Sequence, residues 1–259
     1  MIAGERSGTA ERLLLGRRYR YERRRCRMPM SEEGRRALAQ FAALAGEPSR
    51  LQPQPCYVCG GGSFEPISEI DRYGLWYPTG LCTACGMVQQ TAYYDAQTVA
   101  RFYAEYYRAI HGPRCPEELY AKQRARGAAI AAFVTGHVTD DARVLEIGTG
   151  AGGILARFRD LGHAVKGLDF DRRFLDHGRA EGLDLVEGGL EALAPEDRFD
   201  LVILSHVLEH VAGPGPFLRG VARHLTPHGL IYVEVPSLEA VAKGAKRFHT
   251  PRNPGSTTA

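Results

Sequence analysis

The 259-residue sequence has no long apolar run, and this is the first limit on what the protein can be. No stretch approaches the roughly 20 apolar residues that a membrane-spanning helix needs. The run Leu13-Leu14-Leu15 is also far shorter than the apolar segment of about 7–15 residues in a secretory signal. Internal repeats are absent as well. We therefore expect a cytoplasmic protein, and the apolar content of 44% is sufficient for a folded core.

Positive charge is concentrated at the start of the chain. Residues 1–36 contain eleven arginines and five glutamates, whereas the remaining residues carry a net charge of −3. A basic arm of this kind is able to contact nucleic acid. It has little apolar periodicity, however, which favours a disordered leader over residues 1–50 with a short helix from Glu32 to Ala45. Because the later sequence lacks basic residues interleaved with aromatics, nucleic acid is not the favoured partner, and the oligomeric state stays open.

Cysteine is scarce, but four of the six cysteines form two matched C-x2-C pairs. They are Cys56, Cys59, Cys82 and Cys85. Two such pairs predict a zinc site, and four thiolates would make it closed and structural. Disulfides are disfavoured in the cytoplasm, and a redox motif needs only one pair. We predict a Zn²⁺-binding ribbon over residues 54–92 whose folding depends on the metal, and we assign no role to Cys26 or Cys115.

A glycine-rich turn follows an apolar run that ends in an acidic residue, Glu146. A strand, a tight glycine turn and a helix start together form a site for nucleotide-type ligands. Asp169 lies 23 residues beyond Glu146, at the end of the next apolar run, where a carboxylate typically meets a ribose. An acidic residue at this point can instead cap the helix that follows, and we assign that role to Asp171.

The glycines alone leave the cofactor open between two kinds. Gly148, Gly150 and Gly153 fit the dinucleotide pattern G-x-G-x-x-G. The same stretch also fits a second pattern, E-x-G-x-G-x-G, which consists of Glu146 and the glycines at 148, 150 and 152. The acidic Glu146 favours the second pattern, because a nicotinamide site usually has an apolar residue there.

Apolar segments and helical segments alternate after residue 139. Strands are predicted at 144–147, 164–169, 183–186, 201–204 and 230–235, with helices near 152–161, 171–181 and 214–225, and Gly162, Gly182 and Gly229 as helix C-caps. This order predicts an α/β fold with a doubly wound, mostly parallel Rossmann-like sheet over residues 139–240. Residues 93–138 are predicted to be a helical linker between the zinc ribbon and this core. Ligands bind at the carboxyl ends of such strands.

The motif from Glu146 to Gly152, Asp169 and the stretch 199–211 together resemble the class I S-adenosylmethionine (SAM) methyltransferases over residues 142–236. The resemblance implies that Glu146 orients the amino group of SAM and that the backbone of the glycine turn, including Thr149, lines its methionine end. Asp169 would bind the ribose, and Phe170 would pack against adenine. The loop 187–191 would flank adenine, although Gly189 replaces an acid common in the family. The implied cofactor-binding residues are Glu146, Gly148, Thr149, Gly150, Asp169, Phe170, Leu190 and Ser205.

The four-cysteine ribbon, the segment Cys85-Gly86-Met87-Val88-Gln89 and an aromatic helix near residue 103 resemble one methyltransferase subgroup with an N-terminal zinc-binding domain. Several of its members methylate nucleotide sugars at carbon or act in natural-product pathways. Class I members usually complete the sheet with a further helix and a hairpin, whereas about twenty residues follow Pro236. We therefore expect an atypical tail over residues 241–259, an incomplete sheet and a C-terminal truncation.

The stretch His206-Val207-Leu208-Glu209-His210 matches H-x-x-E-H, the inverted zinc-protease motif. Its place after the fourth strand fits a methyltransferase better. His206 or His210 would then act as a base near the transferred methyl group, or Glu209 and His210 would only hold the loop by hydrogen bonds.

The favoured hypothesis is methyl transfer from SAM to a small molecule, such as a nucleotide sugar or a natural-product intermediate. The alternatives are an RNA methyltransferase that uses the ribbon and the arginine-rich arm, an inactive remnant that binds SAM and zinc, and, least favoured, a nicotinamide oxidoreductase.

Overall fold

The structure is a computed structural model, and it describes residues 19–26, 28–45, 51–111, 115–211 and 213–237. The predicted tail, 241–259, and most of the arginine-rich arm lie outside the described residues. The described part forms two compact units that meet in sequence near residue 113. Among the described residues, no helix combines the length and the apolar character needed to cross a bilayer.

Among the described residues, the N-terminal unit has a 3₁₀ turn at Tyr21–Arg23 and then α1, Glu32–Ala45, at the bounds that the sequence predicts. Its apolar face buries Leu38 and Phe41, with 9% and 3% of their surfaces exposed. Phe41 packs against Phe102 and Tyr106, with ring centroids 4.8 and 5.6 Å apart. The helix is therefore held by an aromatic cluster within its own unit.

Short antiparallel strands carry the cysteine pairs. The strands are β1 (Gln52–Pro53), β2 (Phe64–Ile70), β3 (Trp76–Cys82), β4 (Val88–Gln90) and β5 (Ala92–Tyr93). β2, β3 and β4 form one sheet, and β1 pairs with β5. The first cysteine pair precedes β2, and the second joins β3 to β4.

The segment predicted as one helical linker is divided between the two units. The first part contains α2 (Ala96–Arg101), a π-helical turn (Phe102–Tyr106) and α3 (Tyr107–His111), which belong to the N-terminal unit. The second part is α4, Pro116–Val134, which belongs to the C-terminal unit and buries Ile130 and Val134 in its core. The difference arises because the two parts pack on different cores, with Ile110 of α3 buried in the cluster around α1 and Ile130 of α4 buried against the parallel sheet.

The C-terminal unit contains five parallel strands in the order β10-β9-β6-β7-β8. The strands are β6 (Arg143–Ile147), β7 (Ala164–Asp169), β8 (Leu185–Glu187), β9 (Phe199–Ser205) and β10 (Leu225–Glu234). The helices between them are α5 (Gly153–Asp160), α6 (Arg172–Ala180) and α7 (Pro214–Ala222). The predicted α/β Rossmann-like fold is confirmed.

Both faces of this sheet are covered, as a doubly wound sheet requires. Val144 and Leu145 are neighbours on β6, yet each is fully buried, in a different core cluster. Gly162 and Gly182 have positive φ at helix ends, as predicted. Gly229 is wrongly predicted as a cap, because it lies inside β10, where a Cβ atom would come 2.8 Å from the carbonyl oxygen of Phe199. The close approach of two strands selects glycine there.

Candidate active site and cysteine cluster

The glycine turn follows β6 directly, and its backbone has the positive φ angles that its glycines predict. Gly148, Gly150 and Gly152 have φ values of +73°, +55° and +80°. Side chains rarely tolerate this region, so glycine is favoured at all three positions. Gly148 is also restricted sterically, since a Cβ atom would lie 2.7 Å from Cγ2 of Val207, in the segment that follows β9. The ends of β6 and β9 therefore meet at this turn.

Glu146 is buried beneath the turn, with 1% of its surface exposed. Its carboxyl group accepts a hydrogen bond from the Thr149 hydroxyl at 2.8 Å. Burial raises the pKa of Glu146 to about 8, and the nearby charge of Asp169 acts in the same direction. In this structure the direct contacts of Glu146 are with the turn, and its predicted contact with the amino group of SAM stays a prediction.

Asp169 ends β7, next to β6, and reaches the same turn. One carboxylate oxygen accepts the N–H of Gly150 at 2.8 Å, and the other accepts the N–H of Asp171 at 2.8 Å. Burial raises the pKa of Asp169 despite these hydrogen bonds. Asp171 caps α6 by accepting the N–H of Arg173. The two acids that the sequence singled out therefore lie at one edge of the sheet.

Phe170 and the loop after β8 lie side by side. Phe170 is 73% exposed, and its Cζ atom would lie 3.3 Å from a Cβ atom at Gly189. The adjacent Leu190 packs on the core below. Glu191 Oε1 accepts the N–H of Gly189 at 2.7 Å. A carboxylate is thus present beside position 189 even though the residue there is glycine.

A polar network lies at the ends of β9 and β10. Ser205 donates its hydroxyl to Glu234 Oε2 at 2.9 Å, and the N–H of His206 donates to the backbone oxygen of Glu234 at 2.9 Å. His206 Nδ1 lies 3.2 Å from Glu209 Oε1, and Nε2 lies 3.8 Å from Glu234 Oε1. His206 has φ of +57°, the only positive φ outside glycine among the described residues. Strain of this kind is characteristic of functional sites.

The two candidate bases differ in their surroundings. The side chain of His206 is 36% exposed and lies between two carboxylates. That of His210 is 60% exposed, and its Nε2 lies 4.0 Å from Glu209 Oε1. Glu209 Oε2 is buried and has no hydrogen-bond partner within the part of the chain that the structure describes. His206 is therefore the less exposed of the two histidines and the one that lies closer to a carboxylate.

The H-x-x-E-H motif does not form the helix that a zinc protease needs. Residues 208–210 form a single 3₁₀ turn, so His206 and His210 do not share a helical face. Among the described residues, the four cysteines are the only group of three or more His, Cys, Asp or Glu side chains close enough to hold one metal ion. A protease site is not supported.

Sequence reasoning missed three residues of this region, namely Gln123, Arg126 and Glu234. Gln123 on α4 bonds to the glycine turn at Thr149 and Gly153. Arg126, one helical turn further on, donates to the Ser205 hydroxyl at 3.4 Å, and its charge partly offsets the rise in the pKa of Glu146. Glu234 holds Ser205 and His206. No local pattern marks these positions, because their roles depend on how α4 and β10 pack.

The four predicted cysteines converge at one point in the N-terminal unit. Their sulfur atoms all lie within 4.8 Å of one another, and the pairs Cys56–Cys85 and Cys59–Cys82 are each 3.5 Å apart. In a tetrahedral zinc site with Zn–S bonds of about 2.3 Å, sulfur atoms lie about 3.8 Å apart. The donor set and its spacing therefore fit Zn²⁺.

Each cysteine pair has the same local geometry. Gly60 and Gly86 follow the pairs with φ of +73° and +77°, and the N–H of each donates to the backbone oxygen of the first cysteine, four residues earlier. Backbone N–H groups, that of Cys59 most strongly, lower the pKa of the Cys56 thiol to about 6. The N–H of Cys85 likewise lowers the pKa of Cys82. The pKa of Cys59 is raised by its hydrogen bond with Cys82, and that of Cys85 is raised by burial. Each turn therefore favours the thiolate form of its first cysteine.

The chain is similar to curated ubiquinone biosynthesis O-methyltransferases. The protein from Caulobacter vibrioides is 34% identical over 45% of this chain and 47% of its own length. The protein from Rhodopseudomonas palustris is 33% identical over 35% of this chain and 38% of its own length. The chain thus spans less than half of these relatives. An amino pentose methyltransferase structure from Micromonospora echinaspora has 22% identity over 49% of this chain and 58% of its own, with a TM-score of 0.41.

The strongest comparison is with a family model. The model described as a methyltransferase domain matches residues 116–257, from the start of α4 through the whole parallel sheet. Because this match extends over more than half of the chain and contains the glycine turn with its two acids, the protein belongs to the methyltransferase domain family.

Proposed function

We propose that the protein transfers a methyl group from SAM to a small-molecule acceptor. The observation that carries the proposal is that Glu146 and Asp169 meet at the glycine turn. Membership of the methyltransferase family supports the same conclusion. When bound, SAM supplies an activated methyl group on a sulfonium, so the protein's main task is alignment of the two reactants.

We assign some residues of the site to the nucleoside end of SAM and others to its methionine end. Asp169 is proposed to accept the ribose hydroxyls, since each of its oxygens has a second lone pair beyond the one used by the turn. The exposed ring of Phe170, with Leu190 beside it, is proposed to cover adenine. Arg126 supplies a positive charge near Glu146 and Ser205, and we propose that it faces the cofactor carboxylate.

We propose that the acceptor is a hydroxyl group of a small molecule. The curated relatives are O-methyltransferases, and an oxygen acceptor must lose a proton during transfer. His206 is suited to take that proton, because Glu209 holds its Nδ1 and fixes the orientation of the ring. A nucleotide sugar methylated at carbon is the second candidate, favoured by the four-cysteine cluster in the N-terminal unit.

We propose that the four cysteines hold a structural Zn²⁺. Support comes from the convergent sulfur atoms, the two matched turns and the lowered pKa values of Cys56 and Cys82. Four protein ligands would fill the coordination shell, leaving no position for a substrate. The metal would therefore stabilise the unit rather than take part in methyl transfer.

Calorimetry with SAM tests the proposed function. We expect the wild-type chain to bind SAM and Asp169→Asn to bind it at least about tenfold more weakly, because a charged hydrogen-bond acceptor is lost. Asp140→Ala is the matched control, since Asp140 is exposed and precedes β6 at the opposite end of the strand. Absence of SAM binding at millimolar concentration, or equal affinity of Asp169→Asn, contradicts the proposal.

A further inference from the structure

One peptide group of the glycine turn is held from two sides by different elements. The Thr149 carbonyl accepts a hydrogen bond from Gln123 Nε2 at 2.9 Å. The N–H of the same peptide, that of Gly150, donates to Asp169 Oδ2 at 2.8 Å. Gln123 belongs to α4 and Asp169 to β7, so a helix and a strand fix the orientation of a single peptide plane.

Gln123 also contacts the far end of the turn. Its Oε1 accepts the N–H of Gly153, the first residue of α5, at 3.3 Å. Helix N-termini have N–H groups without partners inside the helix, and Gln123 satisfies one of them. The amide of Gln123 therefore uses both its donor and its acceptor on the turn and spans Thr149 to Gly153.

Within the turn, the N–H of Gly152 also donates to the Thr149 carbonyl at 2.9 Å, so Gln123 adds a second donor to the same oxygen from a different element. Glycine populates both signs of φ, so sterics alone do not stop the peptide between Thr149 and Gly150 from flipping. A flip would point the Thr149 carbonyl at the carboxylate of Asp169 and remove the N–H that this carboxylate now accepts. Asp169 would then be displaced or repelled at the position proposed for the ribose.

The contact between Gln123 and the turn is accompanied by close packing of α4 against the turn backbone. A Cβ atom at Gly150 would lie 3.0 Å from Gln123 Nε2, and one at Gly153 would collide with the backbone oxygen of Tyr120. The approach of this helix thus selects glycine at position 153, whereas the positive φ selects it at position 150.

We propose that Gln123 is a positioning residue that holds the Thr149–Gly150 peptide in the orientation needed for cofactor binding. The inference rests on the proposed function and adds to it a residue outside the sheet edge. It acts through Thr149, Gly153 and Asp169, and it does not require contact between Gln123 and the cofactor.

The test compares two substitutions that nearly preserve size. Gln123→Glu is isosteric and keeps an acceptor for Gly153, but it places a carboxylate oxygen against the Thr149 carbonyl. Gln123→Leu removes both hydrogen bonds and keeps most of the volume. Lys122→Ala is the control, because Lys122 is exposed on the same helix. The probe is S-adenosylhomocysteine, measured by calorimetry, with hydrogen exchange at Gly150 and Gly153 in the free protein.

We expect both Gln123 variants to bind the probe about tenfold more weakly and to exchange faster at Gly150 and Gly153, whereas Lys122→Ala stays at the wild-type values. Wild-type affinity of Gln123→Glu would overturn the inference, because a packing role alone survives an isosteric change. If Gln123→Leu fails to fold, Gln123→Glu decides. Absence of binding by the wild-type chain overturns the proposed function instead, so the two failures are distinguishable.

Discussion

The buried carboxyl of Glu146 makes the stability of the C-terminal unit depend on pH, and Glu146→Gln should remove that dependence. The glutamine keeps the shape of the side chain. Its amide oxygen can accept the hydrogen bond from the Thr149 hydroxyl in place of the carboxylate oxygen. The substitution therefore removes the titration while leaving this hydrogen bond satisfied.

The sign follows from the two pKa values. The pKa of a glutamate in the unfolded chain is about 4.3, whereas that of Glu146 in the folded protein is about 8. Between these values the folded state binds a proton that the unfolded state lacks, so the free energy of unfolding decreases as pH rises. The slope is about 1.4 kcal/mol per pH unit, or about 4 kcal/mol from pH 5 to pH 8. Glu146→Gln should lack this contribution, match the wild type near pH 5 and be more stable near pH 8.

Hydrogen exchange of β6 and β9 amides measures this quantity in the intact chain. The single tryptophan, Trp76, lies in the N-terminal unit, so its fluorescence reports that unit separately. Glu187→Gln is the control, because Glu187 is exposed at the end of β8 and its removal should leave the wild-type slope unchanged. Parallel pH profiles for the wild type and Glu146→Gln, or a Glu146→Gln variant that is less stable at pH 8, would refute the reasoning.

Two further predictions concern the metal and the base. Removal of zinc by a chelator should unfold residues 54–90 and shift the emission of Trp76, while β6 amides stay protected from exchange. The reason is that the binding free energy of the metal adds to the folding free energy of this small core. Unchanged Trp76 emission in a zinc-free sample would be incompatible with a structural metal. His206→Asn should lower kcat by roughly 10²–10⁴-fold with little change in SAM affinity, whereas His210→Asn should stay within about twofold of the wild type. Equal losses in the two histidine variants would disprove the choice of His206.

Much of the C-terminal fold follows from local patterns in the sequence. The five strands lie where apolar runs are bounded by glycine and charged residues, and the observed β7, Ala164–Asp169, has the predicted bounds. Errors occur where packing overrides such a pattern. Gly229 is typical of a helix cap but lies inside β10, where the backbone follows the neighbouring strand β9 rather than its own local preference. The H-x-x-E-H motif, which the sequence analysis already disfavours as a protease site, contains only a 3₁₀ turn.

In the candidate site, too, some features could be predicted from the sequence and others could not. The carboxylates of Glu146 and Asp169 could be found because each ends an apolar run, and parallel strands bring their ends to one edge. Their hydrogen-bond partners could not be found this way. The resemblance implies that Glu146 faces the cofactor, and the structure adds that its side chain accepts a hydrogen bond from Thr149.

By itself, the sequence determined the alternation of strands and helices, the glycine turn with its two acids and the paired cysteines, since each is a short-range pattern of polarity, conformational freedom or metal chemistry. Only the tertiary structure decided that Gln123 and Arg126 on α4 and Glu234 on β10 join them. These residues are ordinary polar members of their own elements. They become part of the site because helix packing and strand order bring together groups that lie 26 to 79 positions apart along the chain.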